Sequence, residues 1–143
     1  MSFADSIRRW SKKADDRATA AYRTSVDMLA EQMQSTTKEG GNVPADTGNL
    51  ARSLRASTTQ VLQGKKDERY TGQDVGIVTA TLTASTPVWL GYQAVYARRM
   101  NYGFVGADAK GRVYNQNGHH FVEKALAAWP SIVDRAAKKV KVE

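Results

Sequence analysis

Apolar residues recur at steps of three and four between Phe3 and about Thr37, a stretch without glycine or proline. This spacing places them on one face of an amphipathic helix and predicts a long N-terminal helix within residues 1–39. Ser2 and Asp5 are suited to cap its start. The helix would be about 50 Å long, whereas a compact domain of this size has a radius of gyration of about 14 Å. We therefore expect its first turns to project from the body.

The projecting end carries three large apolar side chains, Phe3, Ile7 and Trp10. Because exposed apolar clusters usually mark contacts with other molecules, these residues form a candidate subunit interface. The alternative is a helix that breaks near Ser11 and folds back on its own body. The sequence leaves both arrangements open.

A constrained stretch follows at residues 43–54. Pro44 fixes its own φ and favours extended backbone before it. Asp46 and Thr47 both carry oxygens that can accept from the free N–H groups of a starting helix. The pattern predicts an extended entry into a short, capped helix, and capping suits Asp46 better than a role as a catalytic acid. We expect this stretch to set the long helix against the sheet.

Branched residues and weak alternation predict antiparallel strands over residues 55–92. The first strand is expected at 57–62, the second at 74–83 and the third at 87–92. The charged segment 64–73 lies between them and is expected to be the mobile tip of a long hairpin. Three such strands need cover, which the helices at the two ends of the chain can provide.

The last third of the chain predicts a helix, a loop and a second helix. Tyr96–Gly103 has the spacing of a short helix that ends at a glycine. The polar run 104–118 predicts a long loop that is functional or ordered by a partner. Apolar residues from Phe121 onward predict a C-terminal helix over 119–140, with a kink or a restart at Pro130.

The expected architecture is a single α+β domain over residues 1–143. A long N-terminal helix and a C-terminal helix would pack on a small antiparallel sheet of about three to four strands. The length of 143 residues and a composition with 41% hydrophobic residues suit one ordinary globular core.

Charge and composition narrow the function. The net charge of +7 is spread along the chain, which favours general attraction to acidic surfaces over a dedicated nucleic-acid site. The absence of cysteine excludes disulfides and cysteine nucleophiles. His119 and His120 are adjacent, and neighbours do not face each other on a helix, so a turn or helix cap is their expected role. We expect no enzyme activity, no metal, no cofactor and no membrane span.

Three short elements stand in order along the chain. They comprise Pro44, Asp46, Thr47, Gly48, Leu50, Ser53 and Leu54 in the first, Tyr96, Ala97, Tyr102 and Gly103 in the second, and Phe121 with Leu126 in the third. This order resembles the tail-completion or head-tail joining (neck) proteins of long-tailed bacteriophages. In that family a Pro-Val-Asp-Thr-Gly-x-Leu-x-x-Ser-Leu/Ile element precedes strands, a Tyr-Ala-x-x-x-Glu-Phe-Gly-like element follows them, and an aromatic-led helix closes the domain.

The chain departs from the family pattern at several positions. Ala45 replaces the usual valine, Asn101 stands where an acid is common, and Phe104 follows Gly103 where threonine is frequent. The resemblance covers roughly residues 20–130.

The resemblance implies a structural virion protein without turnover, made in the host cytoplasm and located in the neck of the virion. It would form a ring of six or twelve copies of itself at the head-tail junction. Its implied partners are the portal-side head-completion protein and the tail terminator or tail-tube proteins, with segments 64–73 and 104–118 as docking elements. DNA passing through the ring would be contacted without sequence recognition.

Two other functions remain open at this stage. One is a minor capsid or tail-tube component. The other is a small basic nucleic-acid-binding protein, whose affinity would fall steeply with salt. The residues that would serve it are Arg8, Arg9, Lys12, Lys13, Arg98 and Arg99.

Overall fold

The computed structural model describes residues 2–60 and 63–142 and has the predicted α+β class. The helices are α1 (Phe3–Gln34), α2 (Asn49–Arg52), α3 (Val75–Thr79), α4 (Ala97–Tyr102) and α5 (Phe121–Val142). The strands are β1 (Leu54–Ser57), β2 (Trp89–Tyr92), β3 (Gly103–Ala107) and β4 (Val113–Asn117). The long helices at the two ends of the chain are therefore confirmed.

Helix α1 is continuous from Phe3 to Gln34, so the alternative with a break near Ser11 is wrong. A capping box starts it: the Ser2 hydroxyl accepts from the Asp5 N–H, and the Asp5 carboxylate accepts from the Ser2 N–H. The helix ends earlier than the predicted bound at 39. Its C-cap, Ser35, is extended, and residues 37–39 form a separate 3-10 turn.

The first half of α1 projects from the body, as predicted. Every residue from Ser2 to Ala18 is exposed, with Phe3 at 82% and Trp10 at 70%. The body begins at Thr19, whose hydroxyl accepts from the Ala84 N–H at 3.2 Å. We call residues 3–18 the arm.

Helix α5 packs along the remainder of α1 in the opposite direction. Ala125, near the start of α5, lies in one core cluster with Ala30 and Met33, near the end of α1. The contact between these two helices is the most extensive between any two elements of the described chain. Since α1 extends only backwards from Met33, α5 must run towards the N-terminus of α1. Helix α5 passes through Pro130 without a restart.

The four strands form two separate antiparallel sheets of two strands each. Strand β1 pairs with β2, with Leu54 opposite Tyr92, and β3 pairs with β4, with Gly103 opposite Asn117. The helices α1 and α5 cover the first sheet, as predicted, because Leu54 and Leu90 lie in the core cluster that these helices share. The sequence predicted one sheet of about three to four strands, whereas the described residues form two sheets of two strands each.

The predicted strand at 74–83 is wrong, because Val75–Thr79 forms helix α3. The Asp74 carboxylate caps this helix by accepting from the Gly76 N–H at 3.0 Å. The buried Thr79 hydroxyl then donates to the Asp27 carboxylate on α1 at 2.7 Å. A local cap and one tertiary hydrogen bond therefore outweigh the β propensity of the branched residues.

Two further predictions around this segment need correction. The first strand lies at Leu54–Ser57 instead of 57–62, and residues 61 and 62 lie outside the described part of the chain. Segment 64–73 is not a hairpin tip, because it is fastened to the body at both ends. The Gly64 N–H donates to the Gln93 carbonyl at 2.7 Å, and the Gln73 side chain accepts from the Ala56 N–H at 2.7 Å.

The long loop predicted at 104–118 is also wrong, because β3 and β4 form a regular hairpin there. Its turn is organised by Asp108, which accepts from the N–H groups of Lys110 and Arg112 and from the Tyr114 hydroxyl. Partial burial raises the pKa of Asp108, but these bonds and the Arg112 side chain together hold that pKa below its usual value. A tight turn and a long loop use the same polar residues and glycines, so the sequence of this hairpin reads as a loop.

Two glycines of the hairpin allow a matched test of this geometry. Gly103 and Gly111 both have positive φ, 87° and 79°. A Cβ at Gly103 would lie 2.6 Å from the Gln116 carbonyl oxygen, whereas a Cβ at Gly111 would meet nothing within 4 Å. We expect Gly103→Ala to lower the free energy of unfolding by about 2–3 kcal/mol, and Gly111→Ala by about 1 kcal/mol. Urea denaturation measures both, and equal losses would contradict the close approach at Gly103.

Candidate functional site

The three motif elements, far apart in sequence, meet in one core cluster. Leu50 from the first and Phe121 from the third are buried in it, and the partly buried Ala97 from the second packs against it. Phe121 packs edge-to-face against Tyr92, with ring centroids 5.1 Å apart. The motifs therefore form one structural corner, where the end of α1, the first sheet and the start of α5 are held together.

The first element enters this corner as an extended segment, as predicted. Thr36 and Val43 form a parallel bridge, and the Thr37 N–H donates to the Val43 carbonyl at 2.9 Å. Gly48, at φ 81°, is the N-cap residue of α2. A side chain there would strike the Arg52 guanidinium, 2.6 Å from the position of a Cβ. The Arg52 side chain is long enough to move aside, so it is the left-handed backbone that favours glycine here.

The predicted capping is correct for only one of its two residues. The Thr47 hydroxyl accepts from the Asn49 N–H at 3.3 Å. The expectation for Asp46 is wrong. Asp46 is exposed and lies two residues before the N-cap residue of α2. That N-cap is Gly48, which has no side chain to bond to the helix. The left-handed turn at Gly48 directs the chain into α2 and leaves the Asp46 carboxylate free in solvent.

Ser53 and Leu54 connect α2 to the first sheet. Both are fully buried. The Ser53 hydroxyl donates to the Leu50 carbonyl at 2.7 Å, and the Ser53 carbonyl accepts from the Gln93 N–H at 2.9 Å. The Ser53 N–H also donates to the Leu50 carbonyl at 3.0 Å, so each polar group of this buried serine has a partner that offsets the cost of its burial.

Asn49 is a central residue of the corner that sequence reasoning missed. Its side-chain oxygen accepts from the Tyr70 N–H at 2.8 Å, and its amide donates to the Glu68 carbonyl and the Tyr96 hydroxyl at 3.1 and 3.2 Å. Arg52 adds a bond to the Tyr70 carbonyl at 2.9 Å. These partners lie far along the chain, so nothing in the local string could identify them.

Tyr70 is the anchor that segment 64–73 inserts into the corner. Its ring is buried in the same cluster as Leu50. Burial, followed by the nearby Glu68 carboxylate, raises the pKa of the Tyr70 hydroxyl above its ordinary value. The hydroxyl donates to that carboxylate at 3.3 Å. The charged segment is therefore held by an apolar ring and by backbone hydrogen bonds.

The second element forms α4, and the asparagine within it has a structural role. Asn101 is buried, and its amide donates to both carboxylate oxygens of Glu123 at 3.0 Å. Its oxygen accepts from the Val122 N–H at 3.0 Å, which caps the start of α5. An acid at position 101 would place two carboxylates against each other. The remaining matched aromatic, Tyr102, is exposed at the surface.

The environment of Glu123 favours its charged form. Partial burial raises the pKa of this carboxyl group, but its own backbone N–H, the Asn101 amide and the neighbouring His120 outweigh that effect. The pKa of Glu123 therefore lies below its usual value. The buried Asn101 amide thus finds its hydrogen-bond partner in the Glu123 carboxylate. Because Asn101 is uncharged, it adds no charge beside Glu123.

The third element is only partly buried. Phe121 is enclosed in the core, whereas Leu126 is 64% exposed. The two histidines before it have the turn and helix-start role that was expected. The His119 and His120 N–H groups donate to backbone carbonyls of α4 at 2.9 Å, and the His120 carbonyl accepts from the Lys124 N–H.

The β3–β4 hairpin extends from this corner with both faces largely open. Its pairing puts Val105 and Val113 on one face, where they are 77% and 82% exposed. On the other face Phe104 packs near Tyr114, and the Arg99 guanidinium lies 3.9 Å from the Phe104 ring centroid. A two-stranded ribbon is marginally stable alone, so this surface is suited to being completed by a partner.

A cavity of about 500 Å³ lies between the first element and segment 64–73. Its lining mixes Arg52, Lys66 and Arg69 with Asp67 and Glu68. With three basic and two acidic side chains, the lining has mixed charge and does not single out one class of ligand.

Within residues 2–60 and 63–142, no three acidic or histidine side chains are grouped so that they could hold a metal ion. None of the helices in this part of the chain combines the length and apolar character needed to cross a bilayer.

The Asn101–Glu123 pair yields a direct test of the corner. Asn101→Asp replaces the donor by a second carboxylate, so we expect it to lower the free energy of unfolding by about 2–3 kcal/mol at pH 7. Adding Glu123→Gln should restore most of the loss, because the glutamine amide can donate to the new aspartate. Urea denaturation of wild type, single and double variants measures this coupling. A double variant no more stable than the single would contradict the assignment.

Comparison of the chain with protein-family models, with curated proteins and with solved structures finds no match. The function must therefore be inferred from the chain's own residues and geometry.

Proposed function

We propose that this chain is a structural virion protein that assembles as a ring at the phage head-tail junction and joins the tail to the head. The observation that carries this proposal is the arm, the capped first part of α1, whose large apolar side chains do not pack in the chain's own core. The order of the three motif elements supports it independently, since they resemble those of neck proteins and form the corner described above.

The energetics of the arm favour a partner. Phe3, Ile7 and Trp10 recur at helical steps and are all exposed. Burying one such side chain is worth about 2 kcal/mol. An isolated helix of this length is marginal in water, and the arm gains nothing from tertiary packing in one copy. A second molecule that covers the apolar face would provide that missing stabilisation.

The hairpin supplies a second attachment point. Among residues 2–60 and 63–142, both of its strands have an unpaired edge, which can add a strand from another protein. The exposed Val105 and Val113 add an apolar contact on one face. We propose that this hairpin docks on the head-side or tail-side partner of the ring, while the arm connects neighbouring copies.

The nucleic-acid alternative receives less support from the arm. Arg8 lies 3.3 Å from the Asp5 carboxylate, and Lys12 lies 3.0 Å from that of Asp16. These exposed pairs are weak, but they neutralise part of the charge that phosphates would meet. DNA affinity that falls with salt as expected for several phosphate contacts would restore this alternative.

The proposal is tested by measuring the mass of the purified chain and imaging it by electron microscopy. We expect a closed ring, or attachment to the ends of tails. A strict monomer that binds neither heads nor tails would contradict it.

Removal of residues 1–12 tests the role of the arm within that assembly. We expect the shortened chain to melt cooperatively like the full chain but to lose ring formation, because residues 2–12 are all exposed and lie outside the body. Arg9→Ser with Lys13→Ser is the matched control, since it changes the charge of the arm and keeps its apolar face. Unfolding of the shortened chain would show that the segment belongs to its own core.

A further inference from the structure

A second apolar surface lies on the body, apart from the arm. It is a groove of about 370 Å³ between α1, β2 and α5. Its lining is apolar and includes Tyr22, Leu29, Val88, Leu90, Leu126 and Trp129. Leu126 is mostly exposed along its edge. We call this surface the groove.

The arm cannot reach the groove of its own chain. Trp10 and Tyr22 lie on one continuous helix, twelve residues apart, which separates them by about 18 Å along the helix axis. Ile7 and Phe3 lie farther away still. A straight helix offers no hinge through which the arm could turn back. The arm that covers a groove must therefore come from another copy of the chain.

We propose that the groove of one copy receives the apolar face of the arm, Phe3, Ile7 and Trp10, from the next copy. This inference deepens the proposed ring and rests on it. The two surfaces occur once each on every chain, are both apolar, and cannot satisfy each other within one chain. A second copy supplies both in equal number.

The arm face is continuous with an interface that already exists. The apolar positions of α1 follow one another at steps of three and four from Phe3 to Leu29, and their later members pack beside α5. The arm begins where that cover is lost. Within one chain, the later part of this α1 face packs beside α5. In a neighbour's groove, the arm would pack in the same way, helix against helix, on the neighbour's α1 and α5.

This contact has the symmetry of a ring. A patch that meets a different patch on the next molecule is heterologous, and such contacts generate closed rings when the rotation closes. The two aromatic rings and Ile7 present roughly 400 Å² of surface on the arm. With a matching groove area, one contact covers about 800 Å², which is less than a stable isolated pair needs. Closing the ring gives every copy two contacts, so assembly should be cooperative.

Cross-linking between two variants tests the contact, because the chain has no cysteine of its own. Ile7→Cys protein is mixed with Leu126→Cys protein and treated with a short bismaleimide. We expect a cross-linked heterodimer, at a yield about tenfold above that of the control mixture. The control replaces Ile7→Cys by Arg9→Cys, on another side of the same arm. Electron microscopy of the same samples records ring formation.

The outcomes separate this inference from the proposed function. A ring with Ile7–Leu126 cross-links supports both. A ring without them overturns the arm-in-groove contact and leaves the neck proposal standing. Links only between two Ile7→Cys arms mean that the arms pair with each other, which also overturns it. A monomer with no cross-links overturns the arm-in-groove contact, and it contradicts the neck proposal as well when it binds neither heads nor tails.

Discussion

The edge-to-face contact between Tyr92 and Phe121 is the interaction on which the remaining structure depends. Tyr92 lies in β2 opposite Leu54, so it belongs to the first sheet. Its hydroxyl donates to the Met33 carbonyl at 2.7 Å, near the end of α1. Phe121 is the first residue of α5. One aromatic pair thus joins both long helices to the sheet, and burial raises the pKa of the Tyr92 hydroxyl far above its ordinary value. The first motif element packs around this pair, which explains why its residues are constrained together.

This anchoring determines where the chain is left open. Helix α5 starts beside the end of α1 and runs backwards along it, but it has 22 residues whereas α1 has 32. The difference of ten residues corresponds to about 15 Å of helix that α5 cannot cover. Unequal helix lengths fixed at one end therefore account for ten of the arm's sixteen residues. The same anchoring leaves the hairpin projecting, since β3 and β4 pair with each other and with no strand of the first sheet among the described residues.

Elements with a strong helical period could be predicted from sequence, and elements built by distant contacts could not. The capped start of α1 and the exposure of its first turns follow from local spacing and length. Helix α3 was missed because its branched residues favour a strand, while the bond from Thr79 to Asp27 that fixes it joins residues 52 positions apart. At the candidate site the sequence predicted the extended entry and the capping by Thr47, but not the contacts of Asn49. Asn101 appeared only as a departure from a family pattern, and its meaning required the position of Glu123.

A second copy of the chain that completes the arm must protect the arm's amides. Hydrogen–deuterium exchange of residues 3–18, followed by mass spectrometry, compares the separated monomer with the assembled protein. We expect rapid exchange of the arm amides in the monomer and strong protection after assembly, while the amides of residues 25–33 are protected in both. Equal protection of the arm in the monomer, or continued rapid exchange in the assembly, would show that no second copy covers the arm.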